Sequence, residues 1–134
     1  MLFRSRKWRL DFIPKGPKLV DAYLDIETTG LQARPYEITV VGIYVVDGRE
    51  NRVVQLVGDE ITERAILQAL EGVDTIYTYN GSRFDLPFIK ASIGTDLETT
   101  FDHRDLMYDC WACNLKGGLK RVEVTLGVDR KSVV

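Results

Sequence analysis

Residues 18–30 read KLVDAYLDIETTG, and this stretch decides how the rest of the chain is placed. Lys18 to Ile26 reads as a strand running into the turn-like Thr28-Thr29-Gly30. In a strand, side chains two residues apart share a face. Asp25 and Glu27 therefore project together, while the apolar Leu24 and Ile26 face the other way. Two carboxylates side by side repel each other unless a cation lies between them, and hard divalent ions such as Mg2+ or Mn2+ prefer oxygen ligands of this kind. An isolated Asp-x-Glu at a solvated strand end has the same local pattern, so the pair needs support from elsewhere in the chain.

Working outward, residues 37–46 (EITVVGIYVV) are rich in β-branched residues and run into Asp47-Gly48, a hairpin signal, after which residues 52–57 (RVVQLV) return as the partner strand. Ile61, Ala65, Ile66, Ala69 and Leu70 make one helical stripe, with Gly72 where a helix ends. Asp74 to Tyr79 is a further strand, followed by the loop Asn80-Gly81-Ser82. Ser82 is predicted to cap a helix that runs through Phe88 and Ile89 to about Ile93, with Pro87 near its first turn. Thr100 to Met107 reads as a short strand, followed by a helical piece. Leu119, Val122 and Leu126 then stand at helical spacing. The order β, β-hairpin, α, β, α, β, α predicts an α/β domain with a mixed sheet: three antiparallel strands first, then parallel strands reached through helices.

At 134 residues, 45% hydrophobic and 28% charged, the chain has the size and composition of one globular domain. Residues 1–18 are expected to form a basic arm, with 19–134 as the domain. The net charge of −2 is unevenly spread. The arm carries six Lys or Arg against Asp11, and residues 114–134 carry five basic and two acidic residues, so the centre is strongly acidic. An acidic centre between basic ends suits a cation site flanked by phosphate-binding surface. The most apolar stretch, Ile38 to Val46, is far shorter than the roughly 20 residues of a membrane span, so no membrane partner is expected. The basic start is followed by no apolar segment of a secretory signal. With Cys110 and Cys113 as the only cysteines, a reducing, cytoplasmic setting is expected. Their C-x-x-C spacing is read as helical packing, since a zinc site would need more ligands than one histidine can add. No phosphate-binding glycine loop occurs.

The string from Asp25 to Leu31, DIETTGL, resembles the first motif of the DEDD superfamily of 3′–5′ exonucleases, which have a ribonuclease-H-like fold. About sixty residues later, the segment from Tyr79 to Ile89, YNGSRFDLPFI, resembles the family's second motif, an Asn shortly before Phe-Asp. The wording is closest to the YprB-like branch. There a His-x-Asp-Leu segment, matched by His103 to Leu106, and a later Leu-Lys-x-Val-Glu-x-x-Leu-Gly-x-x-Arg, matched from Leu119 to Arg130, follow. The resemblance covers about residues 19–130. It implies that Asp25, Glu27 and Asp85 hold two Mg2+ or Mn2+ ions. It also implies that Thr28, Gly30, Asn80 and Phe84 lie where the 3′ end of single-stranded DNA or RNA enters. The expected reaction is phosphodiester hydrolysis by water. His103 and Asp105 match a segment that is structural in the family.

The family also has a fourth acid, an Asp preceded by a His five residues or a Tyr four residues earlier. Neither spacing occurs in this chain, so the expectation is a domain incomplete at its C-terminus. Three readings stay open: a truncated product of low activity, a homo-oligomer or second chain supplying the missing helix, or local substitution by Asp102, Asp105 or Asp109. The alternative function is a catalytically impaired module for nucleic-acid binding or assembly. Trp8, among basic residues, stacks on a base or pins the arm to the domain.

Overall fold

A computed structural model of the chain describes residues 19–128. The basic arm with Trp8, and Arg130 at the end of the last matched segment, lie outside the described residues. Five strands, β1 (Asp21–Thr28), β2 (Ile38–Val46), β3 (Asn51–Val57), β4 (Thr75–Thr78) and β5 (Asp102–Asp105), form one sheet in the order β3-β2-β1-β4-β5. The first three are antiparallel neighbours, and β4 and β5 add in parallel on the other side of β1. The helices are α1 (Glu63–Ala69), α2 (Asp85–Ile93), α3 (Leu97–Thr100), α4 (Leu106–Ala112) and α5 (Leu119–Leu126). This is the mixed α/β sheet with flanking helices that the sequence pattern predicts. No described helix is long and apolar enough to cross a membrane.

The period-two pattern of the strands builds the core. Ala22, Leu24 and Ile26 of β1, Val41, Ile43 and Val45 of β2, and Ile76 of β4 are all buried. Ile66, Ala69 and Leu70 from the α1 segment and Leu86, Phe88 and Ile89 of α2 join the same cluster. Each large aliphatic side chain so buried contributes about 1.5–3 kcal/mol, as an upper estimate. A one-residue slip of β1 would exchange Leu24 and Ile26 for Asp25 and Glu27 on the core side. Burial therefore fixes the register and turns both carboxylates outward.

The outward face of the sheet carries a row of tyrosines. Tyr23 lies opposite Tyr44 on β2 and Tyr77 on β4. Its ring stacks on Tyr77 at 5.0 Å and 22°, and the Tyr44 ring is 6.4 Å away. The sequence shows each tyrosine, but only the register across three strands aligns them.

Three local expectations differ from the structure. Ser82 does not cap α2, which starts at Asp85 with Phe84 as its N-cap and no side-chain cap. The Ser82 hydroxyl instead donates to Asp105 Oδ2 at 2.6 Å. The strand expected over residues 100–107 is only Asp102–Asp105. Acids cap the helices on either side: Asp96 accepts from the Thr99 N–H before the strand, and Asp105, the strand's last residue, accepts from the Met107 N–H of the helix that follows. In α5, Val122 alone of the expected stripe is buried, while Leu119 and Leu126 are 41% and 59% exposed.

Candidate active site

β1, β4 and β5 run parallel, so their C-terminal ends lie at one edge of the sheet, and the loops that leave them meet there. Ligands of open α/β sheets bind at such edges. Asp25 and Glu27 stand exposed on the outward face of β1 close to this edge. Directly after Glu27 the pairing with β2 shifts register, a bulge that turns the chain into the loop 29–37.

Asp85 arrives from the other direction. It opens α2 and is only 4% exposed. Its Oδ2 accepts the Ile26 N–H at 3.1 Å across 59 residues of sequence, which fixes the carboxylate beside the C-terminal part of β1, between Asp25 and Glu27. Desolvation by burial, with the Asp25 charge acting the same way, pushes the Asp85 carboxyl up to about 7 against the lowering effect of the N–H groups of Ile26 and Asp85 itself. Asp25 and Asp85 are thus brought together. Glu27 is not among the charges that raise Asp85, and among the described residues no three His, Cys, Asp or Glu side chains gather into a metal cage. The donors are all carboxylate oxygens and the Asp25–Asp85 repulsion is of the kind a divalent cation relieves, so the residues fit a hard cation held by this pair.

The other predicted residues are distributed around this edge. The Thr28 hydroxyl donates to the Gly30 carbonyl at 2.7 Å, and Thr29 exchanges hydrogen bonds with Glu37 at 2.9 Å, which closes the loop on itself. Gly30 has a packing reason to lack a side chain, because the Tyr36 ring occupies the space a Cβ would need. Asn80 adopts a left-handed conformation at φ +64°, its N–H donates to Asp105 at 2.7 Å, and its buried Oδ1 has no hydrogen-bond partner. Phe84 packs edge-on against Phe88 at 5.4 Å. With Leu31, Arg83 and Pro87 it lines an open cavity of about 260 Å³. A larger cavity of about 360 Å³, behind Arg34 and Tyr36, includes none of the predicted site residues.

Asp105 organises the loop that presents Asp85. It accepts from Asn80 N–H, Ser82 N–H, the Ser82 hydroxyl and Met107 N–H at 2.7, 3.2, 2.6 and 3.0 Å. Burial alone would raise its carboxyl; these donors outweigh burial and hold it below the usual carboxylate range. His103, on the same strand, shares a 2.8 Å hydrogen bond with Thr78, whose hydroxyl also takes the Gly81 N–H.

A family model for the RNase H superfamily matches residues 22–134. The chain belongs to the RNase H superfamily. Solved structures share the fold at low identity. Brucella melitensis NrnC is 21% identical with a TM-score of 0.61, the match covering 84% of this chain and 54% of that one. NrnC has also been solved with bound Mg2+ and bound to pGG, at TM-scores of 0.61 and 0.59. The family B DNA polymerase of the hyperthermophilic archaeon Pyrobaculum calidifontis is 18% identical over 84% of this chain and 19% of that one, with a TM-score of 0.60. Exonuclease I, in a complex with SSB and an inhibitor, is 15% identical over 85% of this chain and 38% of that one, with a TM-score of 0.55. This RNase H superfamily chain spans about half the length of NrnC. No curated protein matches it.

Of the three acids proposed as local substitutes for a fourth ligand, Asp105 is filled by its four donors. Asp109 gives both oxygens to Arg104 at 2.9 and 2.8 Å. Asp102 pairs in register with Thr75, at the opposite end of the parallel strands. Sequence reading missed the loop-closing role of Thr28 and Thr29 and the packing of Tyr36 on Gly30. The Thr-Thr-Gly turn signal hints at the first, and nothing in the sequence points to the second.

Proposed function

We propose that the chain is a metal-dependent nuclease that hydrolyses single-stranded nucleic acid from its 3′ end. The observation that carries this reading is the buried Asp85 carboxyl anchored to Ile26 N–H and held against Asp25. Two acids forced together at the strand edge of an RNase H superfamily fold are costly to the apo protein and useful to a cation site. The NrnC structures with Mg2+ and with pGG support a divalent ion and a short nucleic-acid ligand for this chain.

In this reading Asp25 and Asp85 hold the ion, with Glu27 turning in from the same strand face. A divalent Mg2+ or Mn2+, when bound, supplies Lewis acidity toward the phosphodiester and acidifies a water. The chain's own work is positional. Ile26 N–H holds Asp85 in place, Asp105 fixes the loop before it, and the Thr28–Gly30 turn and Phe84 border the space for the terminal nucleotide. Water attacks phosphorus and the 3′ oxygen of the preceding nucleotide leaves. The test is digestion of a 5′-labelled single-stranded oligonucleotide with Mg2+ or Mn2+. A ladder shortening from the 3′ end is expected, and an intact oligonucleotide beside a folded chain would overturn the catalytic reading. That result would favour a second reading, binding without turnover, which the lack of a three-carboxylate cluster among the described residues supports.

Asp85 also sets a pH dependence of stability in the metal-free protein. Its folded pKa, about 7, lies above the unfolded value of about 3.9. The sign follows: stability is fully present below the unfolded value and is lost as pH rises through the folded one. With a chelator present, the melting temperature should therefore fall between about pH 4 and 7, by up to roughly 4 kcal/mol of stability. Asp85→Asn should remove most of this slope and melt higher at neutral pH. A slope unchanged in Asp85→Asn would place the titrating group elsewhere.

A further inference from the structure

Arg83, in the loop between β4 and α2, lies over two aromatic rings. Its guanidinium carbon is 5.9 Å from the centre of the Tyr108 ring and 5.8 Å from that of Trp111. The two rings, three residues apart on α4, meet edge to face at 5.2 Å and 83°. Both stay open to solvent, Tyr108 at 41% and Trp111 at 38%. Other tyrosines of the chain are as exposed; what sets these two rings apart is the positive charge between them, since aromatic faces beside a guanidinium are what single-strand binding surfaces are built from.

The charge is available. Among the described residues Arg83 forms no salt bridge. The acids of the neighbouring elements are otherwise engaged: Asp109 with Arg104, Asp105 with its four donors, and Asp85 with Ile26 N–H. The place is also specific. Arg83 is two residues before Asp85, on the loop that Asp105 pins, and α4 begins where β5 ends. Cation and rings therefore share the sheet edge with Asp25 and Asp85.

We infer that Arg83, Tyr108 and Trp111 form a subsite for one nucleotide of a single strand, beside the carboxylates. A base stacks on the open aromatic surface, and the outer N–H groups of Arg83, already seated over the rings, take the adjacent phosphate. Single-stranded nucleic acid is the fitting occupant because only an unstacked base exposes a face to an aromatic ring. The inference rests on the nucleic-acid reading above and adds to it a site that sets how the strand is held upstream of cleavage. An acidic peptide would use Arg83 but gain nothing from base stacking.

The test is binding of a fluorescein-labelled oligodeoxythymidylate, about twelve nucleotides long, read by anisotropy in EDTA so that no turnover occurs. Trp111→Leu is expected to weaken binding by at least about fivefold with the salt dependence unchanged. Arg83→Gln is expected to weaken it at low salt and to make the slope of log affinity against log salt shallower by about 0.7. Trp111→Phe, which keeps a stacking face, should retain most of the affinity. Trp111→Leu within twofold of the natural chain, or no binding by the natural chain, overturns the subsite. Should Trp111→Leu fail to fold, photocrosslinking of a bromodeoxyuridine-substituted oligonucleotide to the natural chain reads the same contact. Adducts on Trp111 or Tyr108 are expected, and adducts confined elsewhere overturn it. The two readings fail separately. A chain that binds through Trp111 but leaves the oligonucleotide intact when Mg2+ is restored loses the exonuclease and keeps the subsite. A chain that degrades the strand but binds it independently of Trp111 loses only the subsite.

Discussion

Replacing Asp25 and Glu27 together by alanine is expected to lower kcat/KM on a single-stranded oligonucleotide by at least about a thousandfold, or about 4 kcal/mol of transition-state stabilisation. The loss should come without unfolding. Both side chains point outward from β1 and contribute nothing to the buried row of Ala22, Leu24 and Ile26. Removing the Asp25 charge also removes one of the causes that raise the Asp85 carboxyl. The double variant should therefore melt at or above the temperature of the natural chain in the absence of metal, with a smaller loss of stability between about pH 4 and 7. Activity and stability moving in opposite directions is the signature of a site whose charges repel until a cation binds. A double variant that kept full activity would remove Asp25 and Glu27 from the chemistry. One that unfolded would show that the face is structural.

The largest effect on stability is expected from Asp105→Ala, at about 3–5 kcal/mol. Asp105 is 9% exposed, and its carboxylate takes four donors drawn from the loop before α2 and the first turn of α4. Alanine leaves the three N–H groups among them without an acceptor in a place where water enters poorly, whereas the Ser82 hydroxyl can turn away. Asp105→Asn keeps one acceptor oxygen and should cost less. The pH dependence has the opposite sign to that of Asp85. A carboxyl held below its unfolded value contributes stability above that value, and the contribution is lost as pH falls through the folded pKa. Acid melting of the natural chain should therefore include a contribution that is missing in Asp105→Ala. Equal thermal stability of Asp105→Ala and the natural chain would show that the network contributes nothing net. Activity should fall along with stability, because the same hydrogen bonds place Arg83 and Asp85.

The two aspartates titrate in opposite directions, and both the deeper desolvation of Asp85 and their different donors explain the difference. Asp105 sits where a strand ends and a helix begins, so unpaired N–H groups of the loop and of the first helical turn converge on it. Asp85 has one strand N–H, its own N–H and a neighbouring negative charge. The motifs separate the two by resemblance, Asp85 as a ligand and Asp105 as structural, but local sequence does not show which donors each carboxylate meets.

The parts of this protein that depend on short-range periodicity were legible from the sequence. Alternation in residues 21–28 dictates that Asp25 and Glu27 share a face, and the hairpin at Asp47-Gly48 follows from turn chemistry, with the Asp47 carboxylate taking the N–H groups of Arg49 and Glu50. The helical segment 119–126 was legible too, although its buried stripe was not, because burial depends on what packs against a helix. The strand expected over residues 100–107 proved to be only Asp102–Asp105, since the helices that flank it start and stop on caps that carry no periodic signal. What only the tertiary structure decided are contacts between residues distant in the chain. The seating of Asp85 against Ile26 spans 59 residues, and the gathering of Arg83 with Tyr108 and Trp111 depends on β4 and β5 lying parallel side by side. Local sequence sets which way a side chain points within its own element. Which other side chain it meets is set by strand order and register, and those come from burying the whole apolar face of the sheet at once.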